Sequence, residues 1–514
     1  MSQTVSANNQ RIAKNTLMLY IRMFLVMIVS LYTVRVVLQI LGKEDYGIYN
    51  VVGGIVVMFS FLSRTLAGAS QRYFAFEIGR GDHDRLKKVF SITLLLYLIV
   101  TVVIAILAET LGMWYLHSKM NIPDGRMFAA DWVFQFSVLS FCFTLYTTPH
   151  KAMIIANEKM NVYAFVGVLE VVLNLLLVLS LKLISRVDYL IAYAVLMFIN
   201  QVVVNMVYIV YSRRHYPESR FQYYWEDGLA REIASFSGWN FFGSAASVVR
   251  SQGVNMLIAA FFSTAINAAR GLAYQVSHAL NSFSTNFYTA VRPQITKYYA
   301  QDNRTECLKL VFRSTKMTYY LMMFLSVPVL VFIVPALQFW LKEVPEYTVL
   351  FTVLVIVVAL IDSLGHPFMT LSQATGRVKV YQTVVGSFNI MTLPLSWIFL
   401  HYGFGPEYTM YVAIAMSICA MISRILILKH IADFPVVEFC KDVLLPILLV
   451  TLVSLGLCFV LKMVTYDQLP SVLMLFISAT FAVLITIAVI FTMGLSSSER
   501  KAIIIVAQKK IKKK

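Results

Sequence analysis

The chain has 514 residues, 59% of them hydrophobic and only 13% charged, about half the charged share of an ordinary soluble domain, and its mean hydropathy is +0.73. That composition excludes a soluble globular protein and leaves an all-α polytopic membrane protein. The formal net charge of +17 does not call for nucleic acid as a partner, because basic membrane proteins carry their excess in cytoplasmic loops.

The N-terminal stretch MSQTVSANNQRIAKN is polar, and the long apolar run after it has no small-residue cleavage site. It therefore reads as a retained first span, not a removed signal. A hydrocarbon core about 30 Å thick needs roughly 20 apolar residues per helix. Cutting the chain at its charged and Pro/Gly-rich breaks gives about fourteen transmembrane helices. Their limits are 15–41, 46–76, 88–112, 128–155, 160–183, 188–212, 233–262, 266–296, 311–335, 347–374, 379–402, 407–429, 441–463 and 469–494.

Lys and Arg alternate between the connecting loops. One side carries Arg11 and Lys14, then Arg80 to Lys88, Lys151, Arg213, Arg214, Arg292, Arg377, Arg424, Lys441 and the tail from Arg500 to Lys514. The other side has little more than Lys43, Lys119, Arg126, Lys182, Arg186, Lys342 and Lys462. The positive-inside rule then puts both termini in the cytoplasm. The connections are too short for an extramembrane catalytic domain, and Cys142, Cys307, Cys419, Cys440 and Cys458 lack the paired spacing of a metal site or disulfide framework. The expectation is of no enzyme, no catalytic residue and no metal.

The halves repeat. Arg85–Phe90 with Tyr97 matches Cys307–Phe312 with Tyr319 at an offset of 222, and Pro149, Ala156, Lys159 and Tyr163 match Pro367, Ala374, Arg377 and Tyr381 at an offset of 218. A six-span unit is even, so both copies enter from one side and are related by an axis along the membrane normal, an arrangement that suits rocking around a site between lobes. The expected organisation is an N-lobe at 1–212 holding spans one to six, a cytoplasmic linker at 213–232, a C-lobe at 233–430 holding spans seven to twelve, and a C-terminal helix pair with a polybasic tail at 431–514.

Five arginines, Arg22, Arg35, Arg64, Arg250 and Arg270, lie inside or at the rim of these spans. A charge at the bilayer centre costs roughly 2.5–3.5 kcal/mol on the mildest scale, so it normally faces a bundle interior or a wet cavity. At 100° per residue, Tyr46, Asn50, Ser60, Arg64 and Gln71 share one stripe of span two. Asn240, Ser244, Ser247, Ser251 and Asn255 share one of span seven, with Arg250 on its flank, and Arg270, Tyr274, Ser277, Asn281, Tyr288 and Arg292 share one of span eight. Arg22, Arg64, Arg250 and Arg270 are the candidate binding cations of one chamber. Asn50, Ser247, Ser251, Asn255, Tyr274 and Asn281 are its candidate polar lining. Arg35 lies close enough to the outer end to snorkel, and Arg270 allows either role. Glu170 and Asp362, mid-span in five and ten, are candidate ion-coupling groups or charge partners of the arginines.

The run RVVLQILGKEDYGIYNVVGGIV (35–56) followed by SRTLAGASQRYFAFEIGRGD (63–82) resembles the opening of bacterial O-antigen (Wzx-type) polysaccharide flippases of the multidrug/oligosaccharidyl-lipid/polysaccharide exporter superfamily. Leu41, Gly42, Tyr46 and Gly47, with Arg72, Gly79 and Asp82, carry the likeness. The resemblance implies flipping of a polyprenyl-pyrophosphate-linked oligosaccharide to the outer leaflet of the inner membrane. Its partners would be that lipid-linked glycan, membrane lipids and other polysaccharide-assembly proteins. It implies no cofactor and leaves the coupling ion, proton or sodium, open. The alternative is a cation-coupled multidrug or other small-molecule exporter of the same superfamily, for which the resemblance implies buried carboxylates in the N-lobe; Glu170 is present, but span one carries Arg22 and no Asp or Glu.

Overall fold

The computed structural model describes residues 2–57, 60–120, 122–183, 188–262, 264–341, 343–465, 472–497 and 499–500. The lysine-rich tail, Arg186 and Lys342 lie outside the described residues. Among the described residues every regular element is a helix. In chain order they are α1 Ser2–Val57, α2 Ser60–Arg80, α3 His83–Leu107, α4 Met113–Lys119, α5 Met127–Ala156, α6 Met160–Ser180, α7 Tyr189–His215 and α8 Asp227–Phe261. Then follow α9 Thr264–Ala300, α10 Arg304–Val331, α11 Ile333–Leu341, α12 Thr348–Ser363, α13 Gly365–Thr375, α14 Val378–His401, α15 Tyr408–Ala432, α16 Val436–Phe439, α17 Leu445–Thr465 and α18 Val472–Val489.

Local chemistry sets several boundaries. Asp82 caps α3 by accepting from the Arg85 backbone N–H at 2.9 Å, Asp188 caps α7 through Leu190 and Ile191, and Asn303 caps α10 through Glu306; each satisfies an orphan donor of a first turn. One boundary differs from expectation. The first two spans are not separated by a loop at Lys43–Asp45: helix resumes directly after Gly42, whose φ of 77° breaks α1. A left-handed residue redirects the chain without a loop, and glycine takes it at no steric cost.

Among the described residues ten helices are long and apolar enough to cross a membrane, or eleven if α10 and α11, bent by 83°, form one broken span. The expected fourteen are not all of that kind. The described residues of the segments expected at 46–76, 233–262 and 266–296 are helical, but none of the three is among these ten; arginines, asparagines and serines dilute the last two. The ninth span ends at Val331, and the apolar run beyond it turns away as α11.

The chain divides into two compact units, Arg11–Phe241 and Phe242–Lys514, the second joined by Met1–Gln10. The cut falls within α8, later than the linker expected at 213–232. In the first unit α2 packs on α3 and α5, α3 on α5, α5 on α7 and α6 on α7. In the second, α9 packs on α10 and α12, α10 on α12, α12 on α15 and α14 on α15. The pairings recur in the same order in the two units. Val52, Leu116, Phe134 and Leu145 lie in the core of the first unit, and Val254, Ala273, Phe351 and Met410 in that of the second.

The C-terminal pair α17 and α18 packs on α10. Tyr319 and Thr451 share a 3.0 Å hydrogen bond, and Glu499 pairs with Lys316 at 2.9 Å and Arg313 at 3.5 Å.

Candidate functional site

Within the second unit, α8, α9, α12, α13, α14 and α15 border a cavity of about 590 Å³, inside the usual range for ligand pockets. From α8 come Ser247, Ser251 and Asn255 at four-residue steps, so one helix face presents all three. Arg250 turns to the same cavity: Nη2 stands 3.0 Å from Oδ2 of Asp362, and Nη1 donates to Oδ1 of Asn389 at 3.0 Å and to Oγ of Ser417 at 3.4 Å. From α9, Arg270 donates to Oδ1 of Asn255 and, at 3.1 Å, to the Tyr274 hydroxyl. Its guanidinium lies 4.6 Å from the centre of the Tyr274 ring. Arg270 is 1% exposed, so it is held inside the helix pack and does not snorkel.

Arg424 enters from α15. Three guanidinium groups therefore face one carboxylate, Asp362, among Gln382, Asn389, His278 and His366. Such a site attracts anions and can hold oxygen-rich groups through amide and hydroxyl donors. Among the described residues no group of three His, Cys, Asp or Glu side chains could hold a metal.

Arg250, Arg270, Ser247, Ser251, Asn255, Tyr274 and Asp362 thus meet in one place. Asn281 does not line this cavity; its amide donates to Oγ of Ser277 at 3.3 Å. The other candidates belong to the first unit. Arg22 lies over the Tyr163 ring at 4.6 Å and against Gly167. Arg64, Arg35 and Asn50 are exposed. Glu170 is half-buried on α6, where its carbonyl accepts from Asn200 at 3.3 Å, and Lys151 caps the Tyr208 ring at 4.9 Å.

Sequence reasoning missed Arg424, His366, Gln382 and Asn389. A signal existed for the last two, which sit seven residues apart and share a face of α14. Arg424 was counted among cytoplasmic cations, although a further two turns of α15 separate it from the helix end at Ala432.

No protein-family model and no curated protein matches the sequence. Solved structures do match. A MATE transporter in the bent conformation superposes with a TM-score of 0.72 at 14% identity, over 84% of this chain and 96% of that one. The Vibrio cholerae MATE transporter VcmN in the bent form gives 0.67 at 16% identity, over 83% and 98%. An outward-facing multidrug resistance MATE family transporter of the MOP superfamily gives 0.69 at 14% identity, over 83% and 96%. What these likenesses establish is the fold: the chain has the polytopic helical architecture of MATE transporters of the MOP superfamily.

Proposed function

We propose that this chain is a transporter that moves a polyprenyl-pyrophosphate-linked oligosaccharide from the cytoplasmic to the outer leaflet of a bacterial inner membrane by alternating access, with both termini in the cytoplasm. The observation that carries the reading is the charge of the cavity: Arg250, Arg270 and Arg424 against Asp362 alone. A bare cation in a membrane segment costs roughly 2.5–3.5 kcal/mol, and a bound anion offsets that cost. Pyrophosphate oxygens accept guanidinium donors in pairs. The surrounding Asn, Gln and Ser side chains suit sugar hydroxyls. An organic cation would meet net repulsion in the same space.

A second reading, a cation-coupled multidrug exporter, has one observation in its favour: a solved structure of the same fold is a multidrug resistance transporter.

The experiment is surface-glycan export in cells carrying R250A or R270A, with membrane levels of the protein matched to wild type. Export should fall roughly 10–100-fold, the loss that follows from removing hydrogen bonds to a charged group. Undiminished export overturns the reading. Sensitivity to cationic drugs on deletion, with export intact, supports the second one.

A further inference from the structure

Three arginines line the cavity, but they are not equally engaged. Arg250 donates to Asp362, Asn389 and Ser417, and Arg270 to Asn255, Tyr274 and the Ser251 carbonyl. Arg424 is the least engaged: its Nε and Nη1 are both buried without a hydrogen-bond partner, where Arg270 leaves only Nε so placed. Buried charged donors are seldom left unmatched in native proteins unless something else supplies the acceptor.

Two neighbours complete the picture. The hydroxyl of Tyr381, on α14, is buried too and stands within hydrogen-bonding reach of the Arg424 guanidinium. Gly365 opens α13 on the other side, where a Cβ would stand 2.4 Å from Nη1 and 2.8 Å from Cζ of Arg424. Only glycine leaves the guanidinium that position. His366, next in the chain, lines the cavity too and stacks on Tyr288 at 5.2 Å.

We propose that Arg424, Tyr381 and Gly365 form a seat for one phosphate group of the passenger, with Arg424 as the docking cation. This inference rests on the anionic-passenger reading above and narrows it. A free oxygen on a phosphorus of a pyrophosphate diester accepts from the Arg424 guanidinium, and the tyrosine hydroxyl donates its own proton to a second oxygen of the same group. Arg250 and Arg270, partly held by protein groups, stand beside the seat and serve the rest of the headgroup.

The test is calorimetric titration of the purified full-length protein in detergent with farnesyl pyrophosphate, and with farnesol as the neutral probe. Wild type should bind the pyrophosphate and not the alcohol. R424Q should weaken binding by about 10–100-fold, and R424K should recover part of the loss, because an ammonium keeps the charge and lacks the planar fork. Y381F should weaken binding by a smaller factor. G365A should weaken it with every charge retained, since the added methyl displaces the guanidinium. Should R424Q fail to fold, Y381F and G365A carry the test. If wild type binds farnesyl pyrophosphate and these variants bind it equally well, the seat is wrong and the anionic-passenger reading stands. If wild type binds no pyrophosphate, that reading falls and takes the seat with it.

Discussion

Arg250 and Asp362 show what an ion pair is worth when it faces a wet cavity. Their side chains are 16% and 34% exposed, so the pair is partly screened, and breaking it should cost less than the 3–5 kcal/mol or so of a fully buried pair. D362N should lower stability in detergent by about 1–2 kcal/mol. R250Q should do likewise, and R250Q/D362N should cost less than the two singles together, because neither charge is then left alone. Thermal unfolding of the three proteins checks this; strictly additive losses would show that the side chains do not interact. D362N should also bind pyrophosphate more tightly than wild type, since it removes the one anion that competes for the cavity. The partnership was half legible in the sequence. Asp362 stood out as a mid-span acid, yet periodicity placed Arg250 only at the flank of a serine stripe, because 100° per residue gives a face and not the helix that face meets. Arg424 escaped for the same reason: a cation two turns from a helix end reads alike whether it reaches outward or turns in.

The ends of the first-unit helices are held by side-chain chemistry. Arg126, between α4 and α5, grips Asp45 and Asp188 together, and Asp188 also caps α7. Burial pushes the Asp188 carboxyl up, but the Arg126 hydrogen bond and the Ile191 and Leu190 backbone N–H groups more than offset it and hold the group below its ordinary 3.8. A lowered folded-state value means that this contribution is complete above the ordinary value and is lost as the pH falls through the folded one. Below about pH 5 wild-type stability should therefore decline more steeply than that of D188N; parallel unfolding midpoints across that range would contradict the clamp. G42A should cost about 1 kcal/mol, because alanine resists a φ of 77°, and an unchanged melting temperature would refute that. Among the described residues the expected spans fall largely on helices, since apolar runs of membrane length have few other folds. Composition alone does not show where such a run turns, which is why the bend between α10 and α11 and the directness of the Gly42 break emerge only in the structure.

At the scale of the whole molecule, the matched residues Tyr163 and Tyr381 each lie by an arginine, Arg22 in one unit and Arg424 in the other. The same helix pairings recur in both units. The sequence pointed to a repeat through Pro149 and Pro367 and the residues around them, because helix breaks and loop-side cations tolerate little drift. It could not say which arginines share a cavity, since that depends on helices far apart in the chain. The loop charges predict that reporters fused after residue 514 face the cytoplasm, and an outside reporter would contradict the orientation. The central claim is that a cationic cavity selects an anionic headgroup. Its most direct test is flipping in proteoliposomes of one fluorescent oligosaccharide carried either on a polyprenyl pyrophosphate or on a neutral polyprenyl lipid. The account predicts that the pyrophosphate-linked form is flipped, that the neutral form is left behind, and that R250A and R424Q slow flipping roughly 10-fold or more. Equal flipping of the two lipids, or wild-type rates in both arginine variants, would contradict it.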